Sequence, residues 1–307
     1  MPSDAQRRYA IVSPVRNEAQ LIRRTLDSVV SQSETPVRWV VVDDGSTDDT
    51  AAIVREYAET NPFIHLLPLG ASNAGASPDR LLWAAEAIAF NVGLREVDLD
   101  AVDYIVKLDG DLAFEPGYFA ALMDEFDRDA TLGMAGGYCY QVRDGKRLLE
   151  WNPASHVRGP TKMYRVACFR EIGGIEPVYA WDALDELKAQ MVGWRTQSFD
   201  LVVEHLKPTG SVGGLLGARA RMGLGAYLLG YHPLFLLARA GRLALARPYV
   251  LGGVAFLAGY LRAALRRPPR IADERTIAYL RSQQMRRLRN LGDAAEVRSF
   301  LGKGGQR

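Results

Sequence analysis

Four short apolar runs punctuate the first third of the chain, and each is followed by a segment with helical spacing. The runs are Tyr9-Ala10-Ile11-Val12, Trp39-Val40-Val41-Val42, Ile64-His65-Leu66-Leu67 and Tyr104-Ile105-Val106-Lys107-Leu108. Runs this short, rich in β-branched and aromatic residues, read as strands buried on both faces. A Pro14 turn follows the first, and Asn17 then offers an N-cap with Gln20 three positions on, ahead of Leu21, Thr25, Leu26 and Val29. Ser46 is placed to cap the next helix, which carries Ile53, Val54 and Tyr57. Ser77-Pro78 opens another, closed at Gly93, and a fourth spans about Pro116 to Phe126. Strands alternating with helices of this length predict an α/β fold, a mostly parallel sheet flanked by helices.

Beyond Leu132 the pattern loosens. Gly136–Tyr140 and Thr196–Val203 read as strands, with a helix from about Asp182 to Gly193 between them. From about Gly213 the composition shifts, which divides the chain into a domain over 1–212 and a basic, apolar helical extension over 213–307. Residues 1–214 hold 21 Lys and Arg against 32 Asp and Glu, whereas residues 215–307 hold 17 against 4. Such asymmetry points one end of the chain at an anionic partner. Met222–Ala238 and Pro248–Leu261 are uncharged and edged by arginines, but shorter than the ~20 apolar residues that span a bilayer. They fit helices lying in a membrane interface. Asp273 is placed to cap a last, polar helix. Gly223-Leu224-Gly225 with Gly230 has no strand before it and reads as helix packing. The arginines interleave with apolar stretches rather than stacking aromatics, which argues against nucleic acid. With only Cys139 and Cys168 there is no disulfide framework and no zinc pairing. No signal peptide precedes the first strand, so the site is expected at the cytoplasmic face of the inner membrane.

Acidic residues fall where the strands end. Asp109-Gly110-Asp111 stands directly behind the fourth run, and open α/β sheets place their ligands at the carboxyl ends of their strands. Two carboxylates one residue apart can converge on a hard divalent cation; the same residues also make a solvated Asp-Gly turn. Asp43-Asp44-Gly45-Ser46 ends the second run and suits a nucleoside, whose N–H and hydroxyl groups a carboxylate can accept. It also suits an N-cap turn. Asp182 and Asp185 lie one helical turn apart, on one face, where either can serve as a general base.

Taken in order, these segments resemble the family-two glycosyltransferases. The resemblance is carried by Pro14-Val15-Arg16-Asn17-Glu18, VVVDDGSTDDT at 40–50, Ala89–Leu94, KLDGDLAFEPGYF at 107–119, Arg170–Gly174 and WDALDELKAQMVGWRT at 181–196. It covers residues 9–210 and implies a GT-A fold, a nucleotide-sugar donor and transfer with inversion. It further implies donor contacts at Pro14, Arg16, Glu18, Asp43, Asp44 and Asn91, and an acceptor-side glycine pair at Gly173-Gly174. Asp111 would hold Mg²⁺ or Mn²⁺, Asp109 would share the metal or hold the ribose, and the late histidine, His205, would join the metal or the diphosphate. Alone, His205 reads equally as a structural histidine at a strand end. Arg80 is a candidate diphosphate contact, or an exposed helix arginine. The family's Glu-Asp pair is Trp181-Asp182 here, with a second acidic pair at Asp185-Glu186. Asp182, eleven residues before Gly193, is the preferred base and Asp185 the reserve. Trp181 and Trp194 are candidates for stacking on an acceptor sugar or for the core.

Oxygen ligands favour Mg²⁺ or Mn²⁺ over zinc. The metal neutralises a leaving diphosphate while a carboxylate takes the acceptor proton. The expected acceptor is a saccharide, lipid-linked if the tail meets a membrane, as in cell-surface polysaccharide or glycolipid synthesis. A sugar-phosphate nucleotidyltransferase would show a glycine-rich loop near the N-terminus, which Pro14–Glu18 is not. An inactive membrane-bound scaffold would not be expected to keep Asp43, Asp109, Asp111 and Asp182.

Overall fold

The computed structural model describes residues 7–70, 84–143, 145–150, 152–207, 214–271 and 273–290. The chain forms two compact units, Met1–Leu206 and Lys207–Arg307.

The first unit opens with β1 (Tyr9–Val15), α1 (Ile22–Val30), β2 (Arg38–Asp43), α2 (Thr50–Thr60), β3 (Ile64–Pro68), α3 (Ala85–Leu94) and β4 (Tyr104–Leu108). It continues through β5 (Leu112–Phe114), α4 (Tyr118–Arg128), β6 (Leu132–Arg143), β7 (Lys146–Leu149), β8 (Thr161–Arg165), α5 (Val166–Glu171), α6 (Trp181–Met191) and β9 (Arg195–His205). The strands form one sheet in the order β3-β2-β1-β4-β8-β6-β9-β5, with β7 paired to β6. Strand alternation gives it two cores. Tyr9, Ile11, Trp39, Val41, Tyr104 and Val106 face α1, α2 and α4, whereas Ala10, Val12, Val40, Val42 and Ile105 face α3, α5 and α6. The parallel character holds from β3 to β4, where helical crossovers join the strands. Past β4 the sheet is mixed: β8 runs antiparallel to β4 and β6, β5 antiparallel to β9, and only β6 with β9 is parallel.

Three local expectations are corrected. Pro14 is not a turn but a residue of β1, level with Val42 of β2. Asn17 does not cap α1, whose N-cap is Leu21. Instead, with φ 53°, it accepts a bond from the Thr47 N–H at 2.8 Å while its own N–H reaches Ser46 Oγ at 3.0 Å. Ser46 therefore does not cap α2; Asp49 stands at that N-cap, and Asp48 Oδ1 accepts from the Thr50 N–H. The polar side chains after β1 and β2 are spent lacing those two loops together, which stiffens the carboxyl-terminal edge of the sheet. The helix start expected at Ser77-Pro78 lies outside the described residues; the described helix there, α3, begins after Ala84 at φ 49° and ends at Leu94, one residue past Gly93.

The second unit holds α7 (Gly214–Leu228), α8 (Pro233–Ala244), α9 (Leu251–Arg266) and α10 (Glu274–Arg289). The uncharged stretch Met222–Ala238 is split between α7 and α8, with His232 and Pro233 opening the second. Gly223 lets α7 approach α9 so closely that an added Cβ would strike the backbone of Phe256, and Gly259 meets Ala220 in the same way. The glycines are packing residues, as their spacing indicates. Asp273 caps α10 by accepting the Thr276 N–H at 2.9 Å. No described helix is long and apolar enough to cross a membrane.

Candidate active site

The carboxyl ends of β1, β2 and β4 open onto a cavity of about 530 Å³. Pro14, Arg16, Glu18, Asp44, Asp109, Asp111 and Asp182, seven of the residues singled out in the sequence, line it. Gly110 is needed between the aspartates because a Cβ there would come within 2.9 Å of Val15 Cγ1. The Asp109 N–H is fixed by Pro160 O at 2.8 Å, and the Arg16 guanidinium is anchored on Asp44 O at 2.9 Å. Asp43, just behind Asp44, is buried, and its Oδ1 accepts the Ser46 N–H at 2.9 Å, holding the loop turned toward the cavity.

The two aspartates differ in their surroundings. Asp109 is bonded to the ammonium of Lys107, yet burial raises its carboxyl above the usual range and the neighbouring Asp111 adds to that rise. Asp111 is 7% exposed, and His205, level with Leu112 in the β5–β9 register, brings Nε2 to 3.5 Å from its Oδ2. The other ring nitrogen, Nδ1, lies 3.1 and 3.2 Å from the oxygens of Glu150. With Nδ1–H donated to Glu150, the imidazole turns a lone pair toward the Asp111 carboxylate, and two acceptors at that distance suit a shared cation. A carboxylate behind the imidazole is the usual support of a metal-ligating histidine. No cluster of three or more His, Cys, Asp or Glu side chains capable of holding a metal occurs among the described residues. Asp111 and His205 would supply two ligands to a hard divalent cation such as Mg²⁺ or Mn²⁺.

The two candidate bases are separated by one helical turn and by solvent access. Asp182 lines the cavity in the first turn of α6. Asp185 is 2% exposed and points into the sheet, where Lys162 Nζ at 3.0 Å and Tyr164 OH at 2.6 Å bind it. Burial pushes its carboxyl up to about 6.

Other sequence candidates take structural positions. Asn91 Nδ2 donates to Ile175 O at 2.8 Å. Gly173 and Gly174, at φ 79° and 74°, end α5 through bonds to Arg170 O and Phe169 O, the double bond of a Schellman cap. Neither the glycine pair nor Asn91 lines the cavity. Trp181 does, whereas Trp194 bonds Glu171 through Nε1. Arg80 lies outside the described residues. Sequence reasoning missed Glu86, Tyr179 and the Gly159-Pro160 wall, all lining the cavity. It also passed over Lys107, a charged residue inside an apolar strand, which was the available signal for Glu86, its ion-pair partner.

A family model described as Glycosyl transferase family 2 matches residues 10–181. Glycosyltransferase GlyA of Streptococcus pneumoniae is 27% identical over 139 residues, covering 45% of this chain but only 18% of that protein. Among solved structures, the mannosyltransferase PcManGT from Pyrobaculum calidifontis, in complex with GDP-Man and Mn²⁺, aligns with a TM-score of 0.55 at 20% identity, over 98% of this chain and 85% of its own. TarS 1–349 of S. aureus in complex with UDP-GlcNAc gives 0.53 at 17% identity, over 95% of this chain and 88% of its own. At such identities the likeness is one of fold, the GT-A fold.

Proposed function

This chain belongs to glycosyl transferase family 2, and from that premise we propose that it moves a sugar from a nucleoside-diphosphate donor to a saccharide acceptor with inversion. The observation that carries the reading is one cavity lined by Asp109 and Asp111 behind β4 and by Asp182 of α6, with His205 beside Asp111. The GDP-Man and UDP-GlcNAc held by its structural neighbours support a nucleotide-sugar donor here.

In this reading Asp44 accepts hydrogen bonds from the nucleoside, in a loop that Asp43 shapes, and Arg16 faces the diphosphate. Asp111 and His205 would hold Mg²⁺ or Mn²⁺, which supplies charge neutralisation at the leaving diphosphate. Asp109, tied to Lys107, orients the ribose. Asp182 takes the acceptor hydroxyl proton as the acceptor oxygen bonds to the anomeric carbon; the bond to the diphosphate oxygen breaks on the opposite face, so the configuration inverts. Asp182 is preferred over Asp185 because it alone of the two faces the cavity, while Asp185 is engaged by Lys162 and Tyr164.

The second unit supports a membrane reading for the acceptor side. Along α9, Leu251, Val254, Leu261 and Leu265 are 57%, 55%, 58% and 84% exposed. At 100° per residue they fall within about 80° of one another, a single apolar stripe. Arginines at 247, 262, 266 and 267 flank it. An apolar stripe rimmed by cations fits an anionic membrane surface, so the acceptor is a lipid-linked saccharide met at the inner face of the membrane.

Nucleotide release from UDP-, GDP- and dTDP-sugars, measured with Mn²⁺, with Mg²⁺ and with chelator, tests the function. At least one donor is expected to turn over only with metal, and Asp111→Asn to lower that rate by about a hundredfold or more with unchanged circular dichroism. Chelator-resistant turnover, or an unimpaired Asp111→Asn, contradicts the metal assignment.

A further inference from the structure

Lys107 of β4 and Lys162 of β8 are register partners in an antiparallel pair, and both are buried, at 1% and 0% exposure. Strand alternation puts them on the face that Ile105 and Tyr164 share with α3, α5 and α6, where apolar side chains are the rule. Like charges directly across a ladder repel, and each buried ammonium also carries a desolvation penalty. The two are held by different acids. Lys107 pairs with Glu86 and Asp109, both in the cavity wall. Lys162 pairs with Asp185 at 3.0 Å and Glu186 at 3.5 Å, and donates to the backbone oxygen of Asp182 at 2.7 Å. The indole of Trp181 lies near both, its ring centroid 5.3 Å from Lys107 Nζ and 5.5 Å from Lys162 Nζ.

Such a network is poor value as a source of stability, since well-packed apolar residues of similar volume do as well or better. Its geometry serves another end. An ammonium has three N–H donors, and Lys162 directs them to both oxygens of Asp185 and to the carbonyl of Asp182. That carbonyl belongs to the first turn of α6, which follows Ala180 in the left-handed region at φ 59°. The lysine therefore grips the backbone of the one α6 carboxylate that faces the cavity. Glu186, one residue past Asp185, accepts from the Val157 N–H at 2.6 Å and meets His156 Nδ1 at 2.8 Å, which ties the segment leading to Gly159-Pro160 to the same helix.

We propose that Lys162 is a positioning residue for glycosyl transfer, setting the first turn of α6 so that the Asp182 carboxylate stands at the acceptor hydroxyl. The inference rests on the functional reading above, in which Asp182 is the base. It assigns Lys162 no contact with substrate and no proton to move. Its loss should lower kcat and leave donor affinity alone, because the donor contacts sit on other elements.

K162M alone leaves Asp185 buried without its cation and Glu186 with only His156, and is expected to fold poorly. The test therefore compares K162M/D185N with D185N, both lacking the buried carboxylate charge at 185, using the nucleotide sugar that the wild type turns over fastest in a UDP-, GDP- and dTDP-sugar panel. kcat and KM come from nucleotide release, and donor Kd from titration calorimetry. The expected result is a kcat for K162M/D185N about a hundredfold below that of D185N, with donor Kd within twofold and similar melting temperatures. Equal kcat in the two variants, with turnover in the wild type, overturns the positioning role and leaves the functional reading standing. No turnover by the wild type with any donor overturns both.

Discussion

Asp182 and Asp185 have the same side chain, one helical turn apart, and the fold gives them opposite environments. Asp182 borders open volume, whereas Asp185 is sealed beneath α6 with a lysine and a tyrosine. The difference has a consequence in pH. Burial holds the Asp185 carboxyl up to about 6 against an ordinary 3.8. Between those values the folded chain keeps a proton that the unfolded chain has released, so raising the pH across that window costs stability through this group. Asn cannot titrate. The unfolding free energy of the wild type minus that of Asp185→Asn, from urea titrations, should fall by about 1–3 kcal/mol from pH 4 to 6 and level off above. A difference that is flat or rises over that range contradicts the assignment. His156 responds in the same sense, in a higher window: burial works against its imidazolium, but the Glu186 carboxylate outweighs it and raises the histidine above its usual value, so its contribution too is lost as the pH rises.

Among the elements, the apolar strands and the Asp273 cap were legible, whereas β8 and the caps of α1 and α2 were not. β1 to β4 announce themselves because a strand buried on both faces must be apolar throughout. Thr161–Arg165, which became β8, carries Lys162 and Arg165 and has no such signature; the acids of α6 and the backbone oxygens of Phe126, Asp129 and Leu132 make those cations tolerable there. Asn17 and Ser46 look like caps by spacing, yet each finds its partner in the neighbouring loop, a long-range choice that local pattern cannot carry. The α9 stripe is apolar and more than half exposed. In flotation with phosphatidylglycerol vesicles, the full chain is expected to rise with the lipid, and Val254→Glu/Leu261→Glu to remain in the soluble fraction. Equal flotation of the two would remove α9 from any membrane contact.

At the level of the whole molecule, the order of motifs was enough to place Asp44, Asp109, Asp111 and Asp182, although they are spread over 139 positions of sequence, around one cavity. That part was readable because strand ends on one edge of a sheet converge whatever the loops do. Gly173-Gly174 illustrates the limit: a motif position that does not line this cavity and is occupied in ending α5. Lys107 and Lys162 could not be paired in advance, since their meeting depends on β8 entering antiparallel beside β4. The central claim is that Asp182 is the base of an inverting sugar transfer, and it is tested most directly by the turnover of Asp182→Asn on the donor the wild type prefers, with donor Kd measured alongside. A fall in kcat of about 10²–10⁴-fold at unchanged donor Kd is predicted. An Asp182→Asn variant that keeps the wild-type rate would contradict it.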